Sequence, residues 1–311
     1  MEAAQGVANQ LGIPCRVVDV AGDFKKRIVV PFVQSYLSGK TPNPCVVCND
    51  ELKLEALLAQ ATEVGAEHVA TGHYARVEYV STSGRYEIRR SVDSTKDQSY
   101  YLGRVKAAKL PFFKTPLGNL TKKETRAIAL RAGLPVAARQ ESQEICFIPC
   151  NDYRWFLRRY ASDILHRDIA VPGPIYDVHG NRIGKHKGLP FYTIGQRKGL
   201  GISAAVPLFV VDIQPENNAL IVGGKEYVFS PGLLAEQPNW VSADPPDNEV
   251  VVEVQIRYRH SPAAARLLVM QPDRLRIQFM EPQPAVTPGQ LAVFYRGDVL
   301  LGSAFISEKI R

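Results

Sequence analysis

Two thiols stand three residues apart in TPNPCVVCND (residues 41–50), Cys45 and Cys48, just before a run with helical spacing. Further along, SQEICFIPC supplies Cys146 and Cys150, and Cys15 stands alone in CRVVDV. Three chemistries fit thiols in this arrangement. Four of them could hold zinc or an iron-sulfur cluster, although C-x-x-C with C-x-x-x-C matches two tight knuckles poorly. A redox pair is the second option, and a loop presenting a reactive thiol is the third. With Asn49 as cap, Cys48 sits at a helix N-terminus, where the dipole and unpaired N–H groups favour a thiolate. The Asn43-Pro44 approach stiffens that loop. Five cysteines are too few and too unevenly placed for a disulfide scaffold in 311 residues. Cys15, in an apolar stretch, reads as a core thiol.

The elements that must position these residues follow an α/β pattern at first. Residues 1–11 read as the end of a helix, and Cys15 to Val20 as a short buried strand. A helix is expected over residues 23–37, with Pro31 as a kink and Gly39 as its end. Leu54, Leu57, Leu58, Ala61 and Val64 give the next helix an apolar face, and Gly65 stops it. HVATGHYARVEYV reads as a strand running into a loop, and Thr121 with Glu124 forms a capping box for a helix that ends at Gly133. From Val171 onward strands dominate, with hairpins expected at DVHGNRIG, VDIQPENNALIV and VMQPDRLRIQF. In VVEVQIRYRH, Val252, Val254, Ile256 and Tyr258 alternate with polar residues, a pattern that suits a small barrel. The organisation expected is an α/β domain over 1–154 with a small helical insertion near 112–134, a central domain over 155–218, and an all-β, barrel-like domain over 219–311.

Composition excludes a fibrous or disordered chain: 45% of residues are hydrophobic and 22% charged. No apolar run approaches the length that spans a bilayer and no signal peptide opens the chain, so the expectation is a cytoplasmic protein without a membrane partner. Thirty-eight basic against 31 acidic residues give +7, an excess compatible with a polyanionic partner.

Seven blocks, in order, carry a family resemblance: GKTPNPCVVCND, ATGHYAR, STKDQSYYLGRV, PLGNLTKKETRAIALRAGLPVA, ESQEICFI, FYTIGQRKGLG and VTPGQLAVFYRGDVLLG. Together they resemble the tRNA-specific 2-thiouridylases. The resemblance implies a nucleotide α-hydrolase-like domain of the PP-loop type, here incomplete, which uses ATP and Mg2+ to adenylate the wobble uridine of tRNA. Sulfur carried as a cysteine persulfide then replaces the activated oxygen. It also implies that Cys146 holds the persulfide and that Cys48 is its partner thiol. The two would pass through a transient disulfide that a reductant opens, after a separate persulfide protein has supplied the sulfur.

By the same resemblance Asn43, Pro44 and Cys45 line the target-base pocket. His73, Lys96, Asp97 and Gln98 contact tRNA, as do Arg257, Tyr258 and Gln290 from the β domain, and Gly72 is a nucleotide contact. No metal ligand is assigned. Many relatives carry aspartate where Cys45 stands, so Cys45 receives no catalytic role. Lys185, Lys187, Arg197 and Lys198, in glycine-rich loops, are expected to grip the RNA backbone. The family's Ser-Gly-Gly-x-Asp-Ser phosphate loop has no counterpart in this chain. The expectation is therefore a chain that lacks the activating segment and is unstable or inactive alone. A downstream start, a split gene or a separate ATP-loop partner would explain it. The alternatives are a non-catalytic tRNA-binding remnant and a metal- or cluster-binding RNA-modifying protein.

Overall fold

The computed structural model describes residues 2–135, 137, 145–166 and 168–310; the first four residues of ESQEICFI (141–144) lie outside them. After helix α1 (Glu2–Leu11), helices α2 (Ala21–Phe24) and α3 (Val30–Leu37) run through a π-helical turn at Lys25–Val29. That turn stands just before Pro31, whose ring cannot accept an ordinary preceding turn. Helices α4 (Pro44–Cys48) and α5 (Glu55–Val64) are likewise joined by a π turn, Asn49–Leu54, and end at Gly65 with φ 69°.

Two expectations fail here. Residues 13–20 are not a strand: Val17 and Val18 are 62% and 44% exposed, and Cys15 is exposed rather than core. No strand among the described residues lies beside that segment to take its hydrogen bonds. The second correction concerns the cap. Asn43, not Asn49, caps the cysteine helix by accepting from the Cys45 N–H at 3.2 Å. Pro44 fits the first helical position because it has no N–H to leave unpaired. Cys48 is thus the fifth helical residue, beyond the unpaired N–H groups of the first turn.

Strand β1 (Val69–Ala70) pairs in parallel with β4 (Phe113–Lys114), while the hairpin β2 (Ala75–Val80) and β3 (Arg85–Arg90) joins the large C-terminal sheet. Helix α6 (Lys122–Arg131) carries the Thr121–Glu124 capping box. Helix α7 (Tyr153–Leu165) leads into a four-stranded sheet in the order β6-β5-β8-β7, with β5 Gly173–Asp177, β6 Arg182–His186, β7 Phe209–Gln214 and β8 Ala219–Gly223.

Strands β9 (Phe229–Trp240), β10 (Val250–Gln255), β11 (Ala263–Gln271), β12 (Arg274–Pro284), β13 (Leu291–Arg296) and β14 (Val299–Ile310) close into a six-stranded barrel through the β13–β14 pairing. All three expected hairpins form. The alternation in β10 holds through Val254 and breaks at Gln255, which is 5% exposed because its amide hydrogen bonds to the Arg257 and Tyr258 carbonyls.

Two cores fix the cysteine region. Val46 and Leu54 share one with Tyr100, Leu102, Leu291, Val293 and Tyr295, so the cysteine helix packs on the barrel. Phe32, Val33 and Tyr36 share another with Leu157 and the central sheet.

Candidate thiol site

Cys48 is 5% exposed and packs with Ile28 and Leu52; Val20, Phe24, Val47 and Phe147 close the cluster. Phe147 is the link to the second thiol. Its ring meets Phe24 at 5.4 Å, Phe32 at 5.2 Å and Phe156 at 5.3 Å, which pins the neighbouring, exposed Cys146 beside the cysteine helix. The thiols feel one another: Cys146 adds to the upward shift of both Cys45 and Cys48, and Cys48 adds to that of Cys45. Cys150 is exposed and left-handed at φ 52°. Among the described residues no group of three or more His, Cys, Asp or Glu side chains could hold a metal ion.

The expected low Cys48 pKa is not found. Burial pushes the Cys48 thiol up, and pushes Cys45 up to about 11, because a thiolate loses solvation there. The opposing pull comes from Lys53. This residue escaped the sequence reading, yet its spacing was a usable signal: positions 45, 49 and 53 fall on one helical face. Lys53 Nζ donates to Asn49 Oδ1 at 3.2 Å, and Asn49 Nδ2 donates to the Tyr101 carbonyl at 3.2 Å. The neighbouring carboxylates are taken, Asp50 by Lys109 at 2.7 Å and Glu55 by Arg27 at 2.8 Å.

His73 faces the same charge. Its Nδ1 lies 2.7 Å from Thr71 Oγ1, and burial, then Lys53, lowers its pKa to about 4, so it is neutral at pH 7. Gly72 before it is exposed at the carboxyl end of β1, where a ligand can approach the backbone closely. Tyr101 and Tyr258 lie 4.4 Å apart at the Cys45 side of the site, and Cys45 adds to the upward shift of Tyr101. Tyr101 is a second residue missed by sequence reasoning.

The other expected contacts divide by what holds them. Asp97 accepts from the Ser91 and Ser99 N–H groups at 3.0 and 3.2 Å and pairs with Arg90 at 3.3 Å. Gln98 Oε1 accepts from Tyr74 N–H at 2.9 Å, so both side chains brace the loop that also carries Lys96. Arg257, half-buried, donates to the Pro284 carbonyl at 3.0 Å, and Gln290 Nε2 donates to the Thr41 carbonyl at 2.8 Å. Lys185, Lys187, Arg197 and Lys198 are all exposed.

Residues 1–150 match the family described as tRNA methyl transferase HUP domain, 162–224 the tRNA methyl transferase PRC-barrel domain, and 230–306 the aminomethyltransferase beta-barrel domain. A tRNA-specific 2-thiouridylase of Caldanaerobacter subterraneus is 46% identical over 308 residues, which is 99% of this chain and 83% of the relative. One from Desulforudis audaxviator is 45% identical over 310 residues, covering 100% of this chain and 88% of the relative. One from Heliobacterium modesticaldum is 45% identical over 311 residues, or 100% and 80% of the two chains.

Proposed function

The chain belongs to the tRNA-specific 2-thiouridylase family, whose members are sulfurtransferases that thiolate tRNA uridine with ATP, and on that premise we propose how its own residues divide the work. Cys146, exposed at the cluster's edge, receives sulfur from a persulfide protein; Cys48, buried beside it, is the second thiol. The uridine is the wobble base, adenylated at its 2-oxygen by ATP as pyrophosphate leaves. The Cys48 thiolate donates an electron pair to form the Cys48–Cys146 Sγ–Sγ bond as the persulfide S–S bond breaks. The departing sulfur bonds to uridine C2, and AMP leaves with the C2–O electron pair. A dithiol reductant then supplies two electrons and two protons to reopen the Cys48–Cys146 disulfide and is itself oxidised to a disulfide.

Asn43, Pro44 and Cys45 line the base pocket, with Tyr101 and Tyr258 as its aromatic wall, since an extruded base is read by stacking and edge hydrogen bonds. His73, neutral by burial, and Lys96 face the RNA; Asp97 and Gln98 hold their loop in place. Arg257 and the four exposed cations of the central domain meet phosphates. Gly72 would lie against the bound ATP, and Mg2+, where used, would neutralise phosphate charge while taking few protein ligands. The protein acts in the cytoplasm, where its tRNA substrate is. Among the described residues no helix is long and apolar enough to cross a membrane.

The observation that carries this reading is the meeting of the Cys146 loop with the Cys48 cluster through Phe147. Cys48→Ser and Cys146→Ser are each expected to abolish 2-thiouridine formation, measured by mass spectrometry of digested tRNA, while tRNA affinity stays at the wild-type value. Thiolation that survives either substitution removes that thiol from the scheme.

A further inference from the structure

Lys53 stands in the π turn between α4 and α5 with its side chain exposed, and its Nζ donates to Asn49 Oδ1 at 3.2 Å. Two acids beside it are held by other cations: Asp50 by Lys109 at 2.7 Å, and Glu55 by Arg27 at 2.8 Å and Lys109 at 3.5 Å. Lys53 itself enters no ion pair among the described residues. An exposed ammonium without a carboxylate, set beside a thiol pair, is placed for an anion that arrives with the substrate.

Three directions fix its position. Asn49, which accepts from Lys53, donates from Nδ2 to the Tyr101 carbonyl at 3.2 Å, so the ammonium is tied to the ring beside Cys45. Cys45 and Asn49 precede it on the same helical face. Leu54 and Val69 share one core, so the turn runs beside β1, and Gly72 and His73 follow just beyond the carboxyl end of that strand. The charge is felt at each place: it draws the Cys45 and Cys48 thiols and the His73 ring down.

We propose that Lys53 is a further catalytic residue, whose ammonium meets the phosphate joining the uridine 2-oxygen to adenosine and neutralises that phosphate as the nucleotide departs. The inference deepens the proposed function and rests on its base pocket at Asn43–Cys45 and its nucleotide contact at Gly72. A base held at the first and an adenosine held at the second leave the bridging phosphate to the region that Lys53 borders. In the adenylated base this phosphate is a diester with one negative charge. As the C2–S bond forms and the C2–O bond breaks, the electron pair stays on the phosphate oxygen, and the free monophosphate carries about two negative charges. Lys53 therefore holds the leaving group more tightly than the bound ester, and only such a difference lowers a barrier.

Equilibrium dialysis of the full chain against AMP and against adenosine, which lacks the phosphate, reads the contact without turnover. Lys53→Gln keeps an N–H donor and removes the charge. It is expected to weaken the Kd for AMP about tenfold and to leave that for adenosine within about twofold. Lys53→Arg restores a cation and is expected to bind AMP within about threefold of the wild type. AMP bound equally by the wild type and Lys53→Gln overturns this inference and leaves the nucleotide contact standing. An equal loss for AMP and adenosine also overturns it, since Lys53 would then support the shape of the pocket. Binding of neither ligand to the wild type sinks the Gly72 reading and the role of Lys53 with it.

Discussion

Phe147→Ala isolates what brings the two thiols together. The Phe147 ring makes three edge-on aromatic contacts, at 5.2, 5.3 and 5.4 Å, and belongs to the cluster that buries Cys48. Each such pair contributes about 1 kcal/mol beyond its apolar area. Because the ring is half-buried, about 2 kcal/mol is the fair figure for losing the anchor of the Cys146 loop. At about 1.4 kcal/mol per tenfold, the equilibrium constant for seating Cys146 beside Cys48 falls about thirtyfold. Disulfide formation reports the seated population, since the two Cα atoms must come within about 7 Å. Diamide, which takes up the two electrons and two protons, would be added to reduced protein, and the Cys48–Cys146 linked peptide followed over time. The rate is expected to drop by up to about thirtyfold in Phe147→Ala and to lie between in Phe147→Leu. A wild-type rate in the alanine variant would refute the argument that Phe147 seats the thiol.

Two further outcomes follow from the electrostatics. Lys53→Gln removes a charge that opposes burial at Cys45 and Cys48, so both thiols move further up; alkylation of Cys48 at pH 8 is expected to slow several-fold with Lys53→Arg unchanged, and equal rates in all three proteins would exclude the ammonium as their counterweight. His73 and His260 are both held down to about 4 by burial, so the fold prefers them neutral, whereas the unfolded chain takes up protons from about 6.5. Stability from this source is complete above pH 6.5 and is lost as pH falls toward 4; thermal scans at pH 7.5 and 5 should show a lower Tm at 5, and a flat profile would contradict the assigned burial.

How much was legible in the sequence depended on whether a signal was local. Thr121 and Glu124 announced their capping box, and the Gly- and Pro-punctuated alternation from residue 171 announced hairpins and a barrel, because turn chemistry and period-two patterning act over a few residues. CRVVDV has strand composition, but a strand also needs a partner for its hydrogen bonds, and composition does not encode one. The cap of the cysteine helix went to Asn49 because acidic residues follow it; Asn43-Pro44 was the better signal, a side-chain acceptor before a residue that needs no N–H partner. Cys48 then moved from an exposed helix end to a buried turn, which reversed the direction of its pKa. The hydrogen bond from Gln290 to the Thr41 carbonyl was not readable, because Thr41 is distant in sequence and the contact exists only once the barrel closes.

The most direct test is to stop thiolation after a single turnover, block free thiols, and map linked peptides without reduction. The account predicts a Cys48–Cys146 disulfide formed in step with 2-thiouridine and opened by a dithiol reductant. Thiolated tRNA with Cys48 and Cys146 both recovered as free thiols, or a link through Cys45 in place of Cys48, would contradict it.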